Sequence, residues 1–207
     1  MSGDLRAEIE WAVASCREVA DRLDRALVDL VAPPAPSLPC VDVIDDFPTN
    51  ARPTNPTSWW QRGLSEIRGI TIHHTLAHDP IATARVFLNK GRPSTEYAFW
   101  VAASGECLWC TPLEWGLWHD HTGGANINVS VGLAGALHVG RPTDAQLAAA
   151  VRLVAWLMQP ERGFNDGMGI PLANVKGHCD YIATLCPGWN AAGWRTAFYR
   201  TLELELE

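Results

Sequence analysis

The chain has 207 residues, 47% of them hydrophobic and 19% charged, with a formal net charge of −7. That length accommodates one real core plus an appendage rather than two full domains, and no apolar run reaches the roughly 18 residues that a membrane span needs, so a soluble protein is expected. The negative balance and the lack of any basic block argue against a nucleic-acid partner, because phosphate binding relies on clustered Lys and Arg.

The N-terminus, MSGDLRAEIEWAV, carries acids where a signal peptide would have a basic start and an unbroken apolar stretch. Synthesis in the cytoplasm is the expectation. From Asp4 to Val31 the residues Leu5, Ile9, Ala12, Cys16, Val19, Leu23, Leu27 and Leu30 recur at the helical period, and Ile9, Cys16, Leu23 and Leu30 fall a heptad apart. The segment reads as an amphipathic helix, packed on its own domain or pairing with a partner, including a second copy in a homodimer. The stiff spacer APPAPSLP follows, and the organisation expected is residues 1–39 as helix and spacer, then 40–207 as the main domain.

Beyond a second proline-rich stretch, FPTNARPTNPTSWW, short strands alternate with helices. IRGITIHH is rich in β-branched residues and reads as a buried strand. DPIATARVFLNKG opens with an Asp cap and Pro at the first helical position and stops at Gly91. EYAFWVAASGECLWCTP reads as two strands around a Ser104-Gly105 turn, and VSVGLAGAL as another strand. Thr143 with Gln146 three residues on forms the capping-box pattern ahead of the helix TDAQLAAAVRLVAWLMQ, and a last helix is expected from Asn190. The fold class expected is α/β: a single domain with a central mixed sheet flanked by helices, plus the N-terminal helix.

Ten tryptophans are present. Trp59, Trp60, Trp115 and Trp118 fall in segments that read as loops, either as core packing or as an aromatic platform for a sugar or peptide. The six cysteines (Cys16, Cys40, Cys107, Cys110, Cys179, Cys186) are too sparse for a disulfide scaffold, so reduced thiols are expected. Cys107 and Cys110 have zinc-knuckle spacing, but residues three apart on a strand face opposite sides. His78 and His138 read as loop residues with no nameable partner.

His73 and His74 end the strand ITIHH, and alternation lets only one of them face a given site. Far along the chain, GHCDYIATLCPG places His178 and Cys186 on either side of a turn, with Cys179 between them. One strand-end His plus this His and Cys make three borderline-soft ligands that suit zinc and leave a fourth position for water, as in catalytic sites. A disulfide half or an ordinary tight loop are the other readings of the same stretch.

In order, ITIHHT, EYAFWVAASGE, LWH followed by NINVSVGLAG, PTDAQL and GHCDYIATLCPG resemble the zinc-dependent N-acetylmuramoyl-L-alanine amidases of the phage-lysozyme and peptidoglycan-recognition-protein type (amidase type 2). The resemblance covers roughly residues 67–190. It implies Zn2+ held by His73, His178 and Cys186, with Tyr97 and Thr184 as catalytic residues beside the metal. It also implies substrate-binding residues Trp118, His119, His74 and Asn126, with His121 a neighbour. The implied reaction is cleavage of the amide between N-acetylmuramic acid and L-alanine in peptidoglycan, in an endolysin-like role after release from the cell. Cys179 stands where the family usually has an Arg. Alternatives are a recognition protein that binds peptidoglycan without cutting it, a cytoplasmic amidase that recycles muropeptides, and a structural zinc module. Non-cutting members typically lose the Cys ligand, which is present here. Recycling members carry Asp and Glu where this chain has Cys186 and Tyr97. A structural module needs a fourth ligand, Cys179 or His74.

Overall fold

The computed structural model describes residues 37–49, 59–120, 127–189 and 193–207, with the side chain of Trp59 left aside. The expected N-terminal helix and any homodimer through it lie outside the described residues, as do His121 and Asn126. The compact unit Leu38–Glu207 is built on a six-stranded mixed sheet. In chain order its strands are β1 (Val41–Asp42), β3 (Gly69–His74), β4 (Phe99–Val101), β5 (Cys107–Trp109), β7 (Asn128–Leu133) and β8 (Val175–Gly177). A separate two-stranded ribbon pairs β2 (Trp59–Gln61) with β6 (Trp115–Leu117). The helices are α1 (Pro80–Leu88), α2 (Asp144–Met158) and α3 (Gly193–Leu206).

Spatial order across the sheet is β1-β5-β4-β7-β3-β8. β3 runs parallel to both β7 and β8, β4 is parallel to β7, and β5 returns antiparallel to β4. The two central strands, β3 and β7, are buried along their whole length, which is why they read as near-continuous apolar runs in sequence. Alternation still divides their faces. Ile70, Ile72, Val129 and Val131 join Leu153, Val154 and Leu157 of α2 and Trp194, Phe198 and Leu202 of α3 in the main core. Thr71 and His73 point to the other side, opposite Ser130 and Gly132 in register.

Local signals set the helix starts. The Asp79 carboxylate accepts from the amides of Ile81 (2.8 Å) and Ala82 (3.0 Å), capping α1 ahead of Pro80. Thr143 caps α2 by accepting from the Gln146 amide at 3.0 Å. Only half of the expected capping box forms. The Gln146 side chain instead donates to the carbonyls of Val101 (2.8 Å) and Ala134 (3.0 Å), tying α2 to the ends of β4 and β7. A buried amide side chain must place its own donors on buried acceptors, and these carbonyls supply them.

Two expectations are corrected here. The segments of Trp59, Trp60 and Trp115 are strands rather than loops, and Trp60 lies edge-on to Trp118 with centroids 6.4 Å apart. The cysteines are also not all reduced: Cys40, just ahead of the edge strand β1, is disulfide-bonded to Cys107 on the neighbouring strand β5. Cys110 points away from Cys107 and is a buried free thiol beside Trp100. No helix among the described residues is long and apolar enough to cross a membrane.

Candidate metal centre

β3 and β8 are parallel neighbours, with Ile72 opposite Gly177, so their C-terminal ends deliver His73 and His178 side by side. The two imidazole centroids are 4.6 Å apart. Gly177 is required for this approach, because a Cβ there would lie 2.6 Å from Trp194 and 2.8 Å from Pro187. Its absence lets the 186–187 segment pack against β8. Cys186 is thereby buried, with its Sγ accepting from the His74 amide at 3.2 Å and lying 3.6 Å from His73 Nδ1.

Among the described residues, one group of His, Cys, Asp or Glu side chains is arranged to hold a metal: His73, His178 and Cys186, with donor atoms all within 4.8 Å of one another. The donor chemistry fits zinc. Bond lengths of about 2.0–2.1 Å to nitrogen and about 2.3 Å to sulfur at a tetrahedral angle put the two donors about 3.6 Å apart, the spacing found between His73 Nδ1 and Cys186 Sγ. Burial pushes the metal-free Cys186 thiol up to about 12, and a bound cation would reverse that by favouring thiolate.

The side chains around this group come from several elements. Tyr97, just before β4, has its ring 5.4 Å from that of His73. It fits because Gly132 stands opposite His73 in register, where a Cβ would come within 2.7 Å of the Tyr97 ring. Burial, and next the neighbouring Cys186, raise the Tyr97 phenol above its ordinary pKa. Thr184 Oγ1 accepts from the Cys186 amide at 3.3 Å. His119, carried just beyond β6, is 4% exposed, and its Nδ1 lies 3.1 Å from His73 Nε2. Trp118 is half-buried beside Trp60.

His74 faces away from His73 and packs edge-on against His138, with centroids 5.2 Å apart. His138 is therefore half-buried with a definite neighbour, contrary to the expectation of a partnerless loop residue. Burial, then the positive charges that His138 and His178 could carry, push the His74 pKa down to about 4. Cys179 stays out of the metal-ligating group. Its amide donates to the Cys186 carbonyl at 2.8 Å, and its side chain packs toward the core. The next residue, Asp180, accepts from the Gly177 amide at 2.9 Å and is ion-paired with Arg195 of α3, bracing the turn that presents His178.

The profile of the Amidase_2 family, described as N-acetylmuramoyl-L-alanine amidase, matches residues 63–189. The chain belongs to this family. The amidase fold is similar to that of the endolysin N-acetylmuramoyl-L-alanine amidase LysCS from Clostridium intestinale URNW (TM-score 0.53, 21% identity, 72% of this chain and 91% of that one). It is also similar to the Ph2119 endolysin from the Thermus scotoductus MAT2119 bacteriophage Ph2119 (TM-score 0.57, 14% identity, 79% and 98%). A third similar structure is a Drosophila PGRP-LB mutant in complex with tracheal cytotoxin (TM-score 0.55, 17% identity, 77% and 94%). At these identities the likeness is one of fold. No curated protein matches the chain.

Within the amidase domain, sequence reasoning missed a polar network below the metal group. Asn128 Nδ2 donates to Thr71 Oγ1 at 2.9 Å and to the Tyr181 hydroxyl. Period-two alternation along β3 already places Thr71 on the face of His73, and that signal could have found it. Asp120, fully buried with Oδ2 3.9 Å from His119 Nδ1, carried no sequence signal beyond its place after the LWH segment.

Proposed function

We propose that this amidase hydrolyses the bond between N-acetylmuramic acid and L-alanine in peptidoglycan, using zinc held by His73, His178 and Cys186. The observation that carries this reading is the three-donor group, with all donors within 4.8 Å of one another and His73 Nδ1 and Cys186 Sγ at the spacing a tetrahedral zinc needs, which no fourth His, Cys, Asp or Glu joins among the described residues. Three protein donors leave an open position, the arrangement of catalytic rather than structural zinc. The His74 imidazole packs against His138 and Cys179 packs against the main core, so neither candidate for a closing fourth ligand joins the group.

Zinc, when bound, supplies a Lewis acid for the scissile carbonyl and brings the pKa of water near 7. The protein's part is to hold and orient. His73 and His178 offer neutral imidazoles and Cys186 a thiolate. Tyr97, kept protonated at neutral pH by its raised pKa, donates its O–H to the oxyanion that develops on the substrate. The Thr184 hydroxyl, which accepts from the Cys186 amide, still has its own proton to donate to that oxyanion. Losing one such donor commonly costs about 3 kcal/mol of transition-state stabilisation. Trp118 and Asn126 are assigned to substrate contact, with the stem peptide running past the Trp60–Trp118 pair, whereas His74, expected there from the sequence, is turned away from His73 against His138 and is left out of that role.

The biological reading is cell-wall lysis after release of the protein from the cell. The Cys40–Cys107 disulfide supports a working place outside a reducing cytoplasm. The test is a mass-spectrometric digest of purified sacculi by wild type, by His73→Ala and by wild type with chelator. New free L-alanine amino termini should appear only with untreated wild type. Intact sacculi after incubation with zinc-loaded wild type would overturn the proposal.

A further inference from the structure

We infer that His119 is a positioning residue for the metal: its Nδ1 accepts a hydrogen bond from Nε2 of His73 and so fixes which nitrogen His73 presents to zinc. The inference rests on the reading of His73, His178 and Cys186 as a zinc site. His73 Nδ1 stands 3.6 Å from Cys186 Sγ, which makes Nδ1 the donor on the metal side. An imidazole that ligates through Nδ1 carries its proton on Nε2. That Nε2 is 3.1 Å from His119 Nδ1, within hydrogen-bonding range. A hydrogen bond there needs a lone pair on His119 Nδ1, so His119 is neutral with its own proton on Nε2.

Three further observations agree. His119 is 4% exposed, and its Nδ1 is engaged with His73, so that nitrogen is not offered to a substrate. The nearest Asp120 oxygen is 3.9 Å from the same Nδ1, too far to take over the bond. Finally, His119 reaches this place through the β2–β6 ribbon: its amide donates to the Leu117 carbonyl at 2.9 Å at the end of β6, and Trp118 beside it is held against Trp60. The ribbon thus supports a metal ligand from outside the main sheet.

The experiment is zinc affinity by competition with a chromophoric chelator, on wild type, His119→Leu, His119→Asn, His119→Gln and His73→Ala, with metal-free thermal unfolding measured alongside. Leucine removes the acceptor and should weaken zinc binding about 10- to 100-fold, the usual loss when a metal ligand's outer partner is removed. Asparagine places a carbonyl oxygen near the position of Nδ1 and should recover most of that loss. Glutamine places its polar group near the position of Nε2 and should not. The Asn-to-Gln contrast keeps the test decisive even if the leucine variant unfolds. Equal zinc affinity in wild type and all three His119 variants, with the damage confined to KM on peptidoglycan, would overturn the inference in favour of substrate contact. A wild type that binds zinc no better than His73→Ala would instead bring down the metal-site reading beneath it.

Discussion

The two edges of the sheet use sulfur in opposite ways. At one edge, Cys40 is bonded to Cys107 and ties β1 to β5 across a sequence separation of 67 residues. At the other, β8 leads into His178, and Cys186 waits as a buried thiol whose contacts are a backbone amide and an imidazole. The first edge is closed covalently and does nothing chemical. The second is held by packing and hydrogen bonds, leaving its thiol available to a metal. What separates the two is geometry: Cys40, just ahead of β1, and Cys107, at the start of the adjacent parallel β5, have Cα atoms 4.5 Å apart, whereas Cys186 faces nitrogen donors.

The sharpest way to break this comparison is Cys186→Ala. It should abolish stoichiometric zinc binding and hydrolysis while the far edge keeps its disulfide, measured by metal content and by thiol titration of the unfolded protein. Retained zinc at full stoichiometry would place the metal elsewhere. A smaller effect is expected from the paired change Cys40→Ser and Cys107→Ser. Constraining a loop of this size is worth about 2–4 kcal/mol, so the denaturation midpoint should fall by that equivalent with zinc affinity unchanged. A loss of zinc affinity would show that the edges are coupled.

The third prediction concerns pH in the metal-free protein. His74 has a folded pKa of about 4 against an ordinary 6.5, so as pH falls the unfolded chain takes up a proton before the folded one does. The buried neutral ring costs the fold nothing above pH 6.5. Stability then declines between 6.5 and 4, by at most on the order of 3 kcal/mol from this group. Denaturation of wild type and His74→Phe in chelator at pH 7.5 and 4.5 should show a shallower decline for the variant, and equal declines would refute the assignment.

The central strands and the long helices were legible in sequence because each carries its own period or cap: the apolar run of β3, Asp79-Pro80 before α1, Thr143 before α2. The convergence of His73 with His178 and Cys186 was legible because strand alternation separates His73 from His74 and because the resemblance joined it to the GHCDYIATLCPG loop. The ribbon was not legible, since WWQ and WGL are three residues each and become strands only by pairing with one another. The disulfide was hidden for a similar reason, as β1 has two residues and nothing local announces its neighbour. The tautomer of His119 depends on a contact 46 residues away, and the diversion of Gln146 from its cap depends on carbonyls that only the folded sheet exposes to it.

The pairing of β3 with β8 has a consequence for how the protein matures. The donors His73 and Cys186 are separated by 113 positions, and they meet only after strands from distant parts of the chain have joined. Closing such a long loop is slow and comes at a large entropic cost. A growing or partly folded chain, in which only His178 and Cys186 are near one another in sequence, therefore lacks the complete three-donor group. On the proposed zinc reading, full occupancy of the site would therefore be a readout of completed folding.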